Sequence, residues 1–420
     1  MVSDLMYNEF ASYLKCLLCD KTYNLDEVEY VCPLHGNDGR LNVIYNYERI
    51  KDEWSKNELK NCMNHTLWRY IPLLPINPVD LSCFLPVGFT PLYHAKKLGE
   101  MFGLKNLYLK LDMFNPTSSL KDRASIIAAA MALGKKKKII TAASSGNAAA
   151  SLAGITANLD LQSVLFVPQT APKEKIIQMK IHGATVFLVE DNYDSAFNLC
   201  LSASEKFGWY SRNTGYNPYL SEGKKTVIFE VIEQLNWIPP DQIFVPVGDG
   251  CILGSVGKGI NDLLSIGWID RKPRINGVQS EGAAAVYNAW KQGNEDIKPV
   301  KTNTLADSIS VSLPRDGIKA LRAVKESDGY FLKVSDKEIL DAMEDLSRYA
   351  GVFAEPAGAT GFAGLKDMLE QGKIDRDETI VVLITGSGLK DINSAYKASH
   401  NEVINLKPNI VDLEKKLKDI

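Results

Sequence analysis

Four short stretches of this sequence gather residue types suited to chemistry rather than to packing. Asn115-Pro116-Thr117-Ser118-Ser119-Leu120-Lys121-Asp122-Arg123 carries one lysine where an alanine-rich segment is about to begin. A protonated amine at a helix N-terminus is disfavoured by the dipole, which lowers its pKa and suits a lysine that forms Schiff bases. Ser144-Ser145-Gly146-Asn147 opens a second helical stretch with hydroxyls and unpaired backbone N–H groups, a receptor for an anion. Gly248-Asp249-Gly250-Cys251 follows an apolar run at 243–247 and precedes a third helical stretch. Its glycines let backbone N–H groups approach phosphate oxygens where the dipole favours negative charge. Thr385-Gly386-Ser387-Gly388 follows the apolar run 381–384 and adds hydroxyls. A single lysine is most often a solvated surface group, and a Gly-Asp-Gly turn is most often only a turn. The argument rests on amine, phosphate loop, anion loop and hydroxyl loop occurring together.

A fifth pattern lies near the N-terminus. Cys16-x2-Cys19 is followed, twelve residues on, by Cys32-Pro33-Leu34-His35-Gly36 and then by the apolar run 41–47. Two such knuckles place four soft or borderline ligands around one tetrahedral zinc. The same stretch also reads as a ribbon held by its own small core without metal, and both readings stand at this point. Seven cysteines are too few for a disulfide scaffold of this length, and the number is odd. Cys62, Cys83, Cys200 and Cys251 are scattered and read as buried or partly buried free thiols.

The elements that must position these loops are legible as an alternation. Apolar strand-like runs at 106–111, 138–142, 163–167, 184–189, 242–247, 275–278 and 379–384 are mostly followed by helical stretches, among them 119–133 and 148–157. Ser119-x-x-Asp122 has the form of a capping box, and the alanines after it have strong helix propensity. Such alternation predicts α/β structure with mostly parallel sheets covered on both faces, in two modules for 420 residues. Reactive loops in open α/β sheets follow the carboxyl ends of strands, as all four do here.

Composition narrows the partners. A net charge of −3 provides no general field for nucleic acid or an anionic membrane. The run Lys135-Lys136-Lys137-Lys138 reads as a solvated helix end. No apolar stretch approaches the ~18 residues of a membrane span. The N-terminus, with an early Asp4, lacks the basic and apolar regions of a signal peptide. A cytoplasmic protein acting on a small molecule is expected, with neither nucleic acid nor membrane as partner.

These motifs, in this order, resemble the fold-type-II family of pyridoxal-phosphate enzymes, which is tryptophan synthase β-like, and most closely the threonine synthases. The resemblance also includes Gly88-Phe89-Thr90-Pro91-Leu92, Asn217-Pro218-Tyr219-Leu220-Ser221-Glu222-Gly223-Lys224-Lys225-Thr226, Leu305-Ala306-Asp307-Ser308-Ile309 and Ala354-Glu355-Pro356-Ala357. It implies a ribbon-like segment at 1–50 and a large cofactor domain formed by 51–119 and 216–420. A small mobile substrate domain at 120–215 is implied between them, with the cofactor in the interdomain cleft, and a homodimer. By the same resemblance Lys121 is the Schiff-base lysine, and Asn147 meets the phenolic oxygen of pyridoxal phosphate. Gly248, Asp249, Gly250 and Cys251 hold its phosphate, and Thr385 faces the pyridine nitrogen. Ser144, Ser145 and Gly146 receive the substrate carboxylate, with Asn213 and Thr214 beside them.

The implied reaction is that of threonine synthase, O-phosphohomoserine and water giving threonine and phosphate. Four features depart from the family pattern: Ala148 for a hydroxyl residue, Leu220 for an arginine that can hold the substrate phosphate, Gly248-Asp249-Gly250-Cys251-Ile252 where the phosphate loop is typically G-N-x-G-N, with Asp249 adding negative charge, and Ser387 for a histidine. Arg212, Asn213, Thr214, Lys224 and Lys225 are candidate substitute donors. An ammonia-lyase, dehydratase or β-replacement enzyme for serine, threonine or a diamino acid therefore stands as the alternative in the same fold. A paralogue that binds without turnover is the third reading, against which Lys121, Asn147 and Thr385 stand together.

Overall fold

The computed structural model describes residues 7–77, 80–144, 146–169, 171, 173–191, 193–399 and 403–417. Along the chain, β1 (Ala11–Cys16), β2 (Thr22–Tyr23) and β3 (Leu41–Tyr45) come first, then β4 (Leu92–His94) and β5 (Asn106–Leu111). Next are β6 (Ile139–Ala143), β7 (Gln162–Pro168), β8 (Thr185–Val189) and β9 (Tyr210–Ser211), and finally β10 (Gln242–Pro246), β11 (Arg274–Ser280), β12 (Phe331–Val334) and β13 (Thr379–Ile384). They form three sheets: β2-β1-β3, the six-stranded β12-β11-β10-β13-β5-β4, and the four-stranded β8-β7-β6-β9.

The ribbon is antiparallel throughout. The four-stranded sheet is wholly parallel, and in the six-stranded sheet only β4 runs against its neighbour. The α/β expectation and its mostly parallel sheets therefore hold. Central strands β10 and β13 are apolar almost without interruption because helices cover both their faces. β4, β9 and β12 escaped the sequence reading. The first two have three and two residues, too few to show a period, and β12 interrupts its apolar run with Lys333.

The helix Lys121–Gly134 packs between two other helices and is buried on nearly every side from Asp122 to Ala132. Its alanines make this possible, since larger side chains would hold the flanking helices Asn147–Thr156 and Tyr219–Lys224 away. Its first turn departs from the expected capping box. Ser119 Oγ has no described partner, whereas the Asp122 carboxylate accepts from Thr117 N at 2.7 Å and from Thr117 Oγ1. The carboxylate turns back to close the loop before the helix instead of reaching the cap.

Two buried charge networks fix the scaffold. Arg123 sits between Asp112 (Nε to Oδ2, 2.7 Å) and Glu230, which also takes Lys110 at 2.7 Å; all four are buried. Burial alone would raise the Glu230 carboxyl, but the charges of Arg123 and Lys110 outweigh it and hold it below the usual range. The second network ties the ribbon down. Tyr45 donates to Glu222 (2.7 Å), Tyr47 to Asp262 (2.6 Å), and Lys225 pairs with both carboxylates.

Removing one partner from a buried ion cluster strands the others without compensation. Asp112→Ala is therefore expected to lower the unfolding free energy by about 3–5 kcal/mol in denaturant titrations. A loss under about 1 kcal/mol would show that the cluster contributes nothing net. Because the folded Glu230 carboxyl lies below its unfolded value, its share of stability is complete above the unfolded pKa. That share should disappear as pH falls through the folded one.

Candidate active site

A cavity of about 360 Å³ opens between the six- and four-stranded sheets. Its wall includes Lys121, Ser144, Gly146, Asn147, Thr214, Gly248, Asp249, Gly250, Cys251 and Thr385. Ten of the residues singled out from sequence thus meet in one place. Ser145 lies outside the described residues.

Lys121 begins its helix, and the preceding loop is pinned to the loop after β13. Leu120 N donates to Thr385 O (2.9 Å), and Ser387 N donates to Ser118 O (3.2 Å). Ser118 adopts a left-handed φ of 62°, which lets the chain turn sharply enough to enter the helix here. The Lys121 amine makes no hydrogen bond or ion pair with any described residue. Burial first, then the positive charges of Lys224 and Arg212, lower its pKa from 10.5 to about 8. The sequence reading attributed the depression to the helix dipole; desolvation and neighbouring cations add to it.

Across the cavity, Gly250 caps the helix Cys251–Ser265 with φ of 89°. A Cβ there would come within 2.6 Å of Asp316 O, so both conformation and space require glycine. The first N–H groups of that helix have no intrahelical partner and face an anion site. Asp249 turns its carboxylate away to Arg315 N (2.6 Å), and Cys251 donates its thiol to Asp316 at 2.6 Å. Burial, then Asp316, pushes the Cys251 thiol up, so it remains a protonated donor.

Asn147 donates through Nδ2 to Glu355 (2.6 Å) and Ser308 (3.2 Å), leaving its buried Oδ1 without a partner. Asn213 does not line the cavity. It sits behind β6, accepting from Ala143 N at 2.8 Å and approaching Cys200 Sγ at 3.2 Å, and so braces the strand that carries the Ser144 loop. Of the departures noted in sequence, Ala148 and Ile252 line the cavity, whereas Leu220 is core.

Glu355, Ser308, Arg315 and Tyr193 also line it and were not anticipated as site residues. Glu355 and Ser308 lie in stretches noted for their resemblance, and a glutamate directly before a helix-starting Pro356 was the available signal. Arg315 and Tyr193 have no local pattern. Ion pairs Lys175–Asp307 (2.7 Å) and Arg315–Asp194 (3.1 Å) cross from one side of the cavity to the other.

At the ribbon, the ligand atoms of Cys16, Cys19, Cys32 and His35 all lie within 4.8 Å of one another. Cys19 Sγ and Cys32 Sγ are 3.9 Å apart, close to the roughly 3.8 Å spanned by two sulfurs on a tetrahedral zinc. His35 Nε2 is buried without a partner, and all seven cysteines are free thiols.

Parallel sheets with an amine and a phosphate cradle facing one cleft define an enzyme of the fold-type-II, pyridoxal-phosphate-dependent class. Residues 84–386 match the pyridoxal-phosphate dependent enzyme family. Threonine synthase of Methanocaldococcus jannaschii is 37% identical over 408 residues, covering 97% of this chain and 99% of the relative. Threonine synthase of Mycobacterium leprae is 34% identical, covering 78% and 89%. Among solved structures, threonine deaminase isoform 2 of Solanum lycopersicum superposes with TM-score 0.63 at 26% identity, over 74% of this chain and 87% of that one. Diaminopropionate ammonia lyase of Escherichia coli shares the fold, with TM-score 0.63 at 18% identity over 74% and 86%. The chain belongs to the threonine synthase family of pyridoxal-phosphate-dependent lyases. Among the described residues, no helix is long and apolar enough to cross a membrane.

The residues fit that cofactor: an amine for its aldehyde, a helix N-terminus for its phosphate, and in the same lining the amide of Asn147, whose Oδ1 is an acceptor without a partner, and the Thr385 hydroxyl. A lysine of depressed pKa becomes neutral at lower pH, and only the neutral amine attacks an aldehyde. Covalent capture of pyridoxal phosphate by apoenzyme, trapped with borohydride and mapped to Lys121, should accelerate with pH and level off just above the amine's pKa of about 8. A rate that keeps climbing to the value of an ordinary lysine would refute the depressed pKa.

Proposed function

We propose that this enzyme converts O-phosphohomoserine and water to threonine and inorganic phosphate. The observation that carries this reading is the meeting of Lys121 and the Gly248–Cys251 turn in the lining of one cavity. Alignment with a named threonine synthase over 97% of the chain supports it.

In this reading Lys121 would hold the cofactor through its amine, the N–H groups of Gly248, Asp249, Gly250 and Cys251 its phosphate, Asn147 its phenolic oxygen and Thr385 its pyridine nitrogen. When bound, pyridoxal phosphate supplies a sink for negative charge developing at the substrate carbons, tempered by a neutral hydroxyl rather than a carboxylate at the pyridine nitrogen. Ser144 and Gly146 receive the substrate carboxylate at the N-terminal end of the helix Asn147–Thr156. With substrate in the cavity, the Lys121 amine would be the group placed to hold and move protons at Cα and Cβ. Its lowered pKa raises the neutral fraction near pH 7 by roughly two orders of magnitude, enough for it to serve as base and then as acid. Glu355 holds Asn147 in place and, being buried, has its carboxyl pushed above the usual range.

Ala148 and Ile252, both apolar in the cavity wall, favour the second reading, elimination from an unphosphorylated amino acid. A parallel assay separates the two. O-Phosphohomoserine should release phosphate and threonine in equal amounts, while serine, threonine and 2,3-diaminopropionate yield little ammonia. Ammonia and keto acid from those three, with O-phosphohomoserine inert, would overturn the first reading. Lys121→Ala should abolish turnover in either case, and residual activity would mean that the lysine is misassigned.

We also propose that the ribbon binds one structural zinc through Cys16, Cys19, Cys32 and His35. The four clustered ligand atoms and the unpartnered His35 Nε2 support it. Protein purified without chelator should contain about one zinc per chain, and Cys32→Ser should contain far less. A ratio near zero in the unaltered protein would leave the cluster metal-free.

A further inference from the structure

The ribbon and the cofactor turn meet on the helix Gly317–Glu326, which the ribbon holds at three points. Arg40 Nε donates to Arg315 O at 2.9 Å just before the helix, Lys319 donates to Leu41 O at 3.1 Å, and Arg322 donates to Leu17 O at 2.8 Å. These ribbon residues share their backbone with the Cys/His cluster. Leu17 follows Cys16, Leu41 pairs with Cys16 across β1 and β3, and Gly39, next to Arg40, accepts from Cys32 N at 2.8 Å. A Cβ on Gly39 would come within 2.6 Å of Cys32 O, so that contact has no slack.

The same helix lies along Cys251–Ser265, whose N-terminus opens the cofactor turn. Gly250, Gly254 and Gly257 face it: a Cβ on each would come within 2.6, 2.7 and 2.6 Å of Asp316 O, Lys319 Cβ and Ala323 Cβ. Backbones packed this closely transmit a shift from one to the other. Asp316 receives the Cys251 thiol at 2.6 Å, while Arg315 N holds the Asp249 carboxylate. Between ribbon and Asp316 one contact is left open. Arg40 Nε stands 3.8 Å from Asp316 Oδ1, and both that Oδ1 and Arg40 Nη1 are buried without a hydrogen-bond partner. A shift of about 1 Å converts such a pair into a charge-assisted hydrogen bond.

We infer that Arg40 is a positioning residue for the cofactor turn, and that a metal on Cys16, Cys19, Cys32 and His35 and pyridoxal phosphate in the cavity are coupled ligands through it. A tetrahedral ion fixes both knuckles at once, and with them residues 39–41, which hold Arg40 against Asp316. Asp316 and Arg315 then keep Cys251 and Asp249 in the conformation that presents the N–H groups of the turn. The inference rests on the zinc and cofactor readings. Coupling of this kind is reciprocal: the factor that zinc adds to cofactor affinity is the factor that cofactor adds to zinc affinity.

The test uses the full-length enzyme with each ligand present or removed, zinc by chelator under reducing conditions and cofactor by hydroxylamine. Cofactor affinity is read from aldimine absorbance, and zinc affinity from competition with a chromophoric chelator. Removing zinc should weaken cofactor binding roughly 5- to 100-fold, and removing cofactor should weaken zinc binding by the same factor. Arg40→Met should keep its zinc yet bring both factors below about twofold. Arg322→Met, which leaves the Arg40 contact in place, should reduce them in part. It carries the test should Arg40→Met fail to fold, and unaltered factors in it would then overturn the inference. A merely structural Arg40 would lower the melting temperature and leave both factors intact, which would overturn it as well. So would zinc-free enzyme that unfolds outright, with cofactor binding lost equally in unaltered and variant chains. Zinc bound with cofactor affinity indifferent to it would overturn the coupling and leave the zinc reading standing. A chain that neither retains nor takes up zinc would overturn both.

Discussion

Burial of positive charge is the constraint around which this molecule is arranged. The centre of the fold contains amines and guanidinia that water cannot reach, and each is handled in one of three ways. Arg123, Lys110 and Lys225 are neutralised by carboxylates on neighbouring elements, and those pairs fasten helices to sheet and ribbon to helices. Lys121 escapes the penalty by giving up its proton more readily. Arg212 and Lys224 form no ion pair with a described carboxylate, and their charge adds to burial, the larger cause, in lowering the affinity of Lys121 for its own proton. The amine and the buried cations near it are therefore electrostatically one unit: their charge helps to keep Lys121 neutral.

Geometry reinforces this economy of charge. The helix Lys121–Gly134 is rich in alanine and so packs closely between two neighbouring helices, and its first residue meets the carboxyl ends of β6, β10 and β13 in one cavity lining. The loop before it is held by backbone bonds to Thr385 and Ser387, so amine and hydroxyl are fixed relative to each other by main chain rather than by mobile side chains. Opposite them, close packing of Gly250 on Asp316 fixes the turn that opens the anion site.

What could be read in the sequence was what is local. Lys121, the Ser144 loop, the Gly248–Cys251 turn and Thr385 each lie between a strand and a following helical or turn segment, so residue type and neighbouring pattern together place them on one rim. The long strands β5, β7 and β13 were visible because their apolar runs were long enough to count. β9 was not visible at two residues, and it is the element that orients Arg212. Asn213 was misplaced for a related reason. Its type suits a binding loop, but which way it faces depends on pairing between β9 and β6, which no local spacing encodes. Arg315 and Tyr193 reach the cavity from far along the chain and have no motif around them.

The ribbon reads in sequence as a segment of its own at 1–50. In the folded chain Arg40, next to its last strand, donates to Arg315 O at 2.9 Å, Lys319 donates to Leu41 O, and Arg322 donates to Leu17 O. Arg315 and Asp316 are the residues that brace Asp249 and Cys251. The knuckles are thus a keystone for the cofactor loop rather than an appendage. A shift of the ribbon is therefore felt at 315–322, and through Arg315 and Asp316 at the turn that opens the anion site.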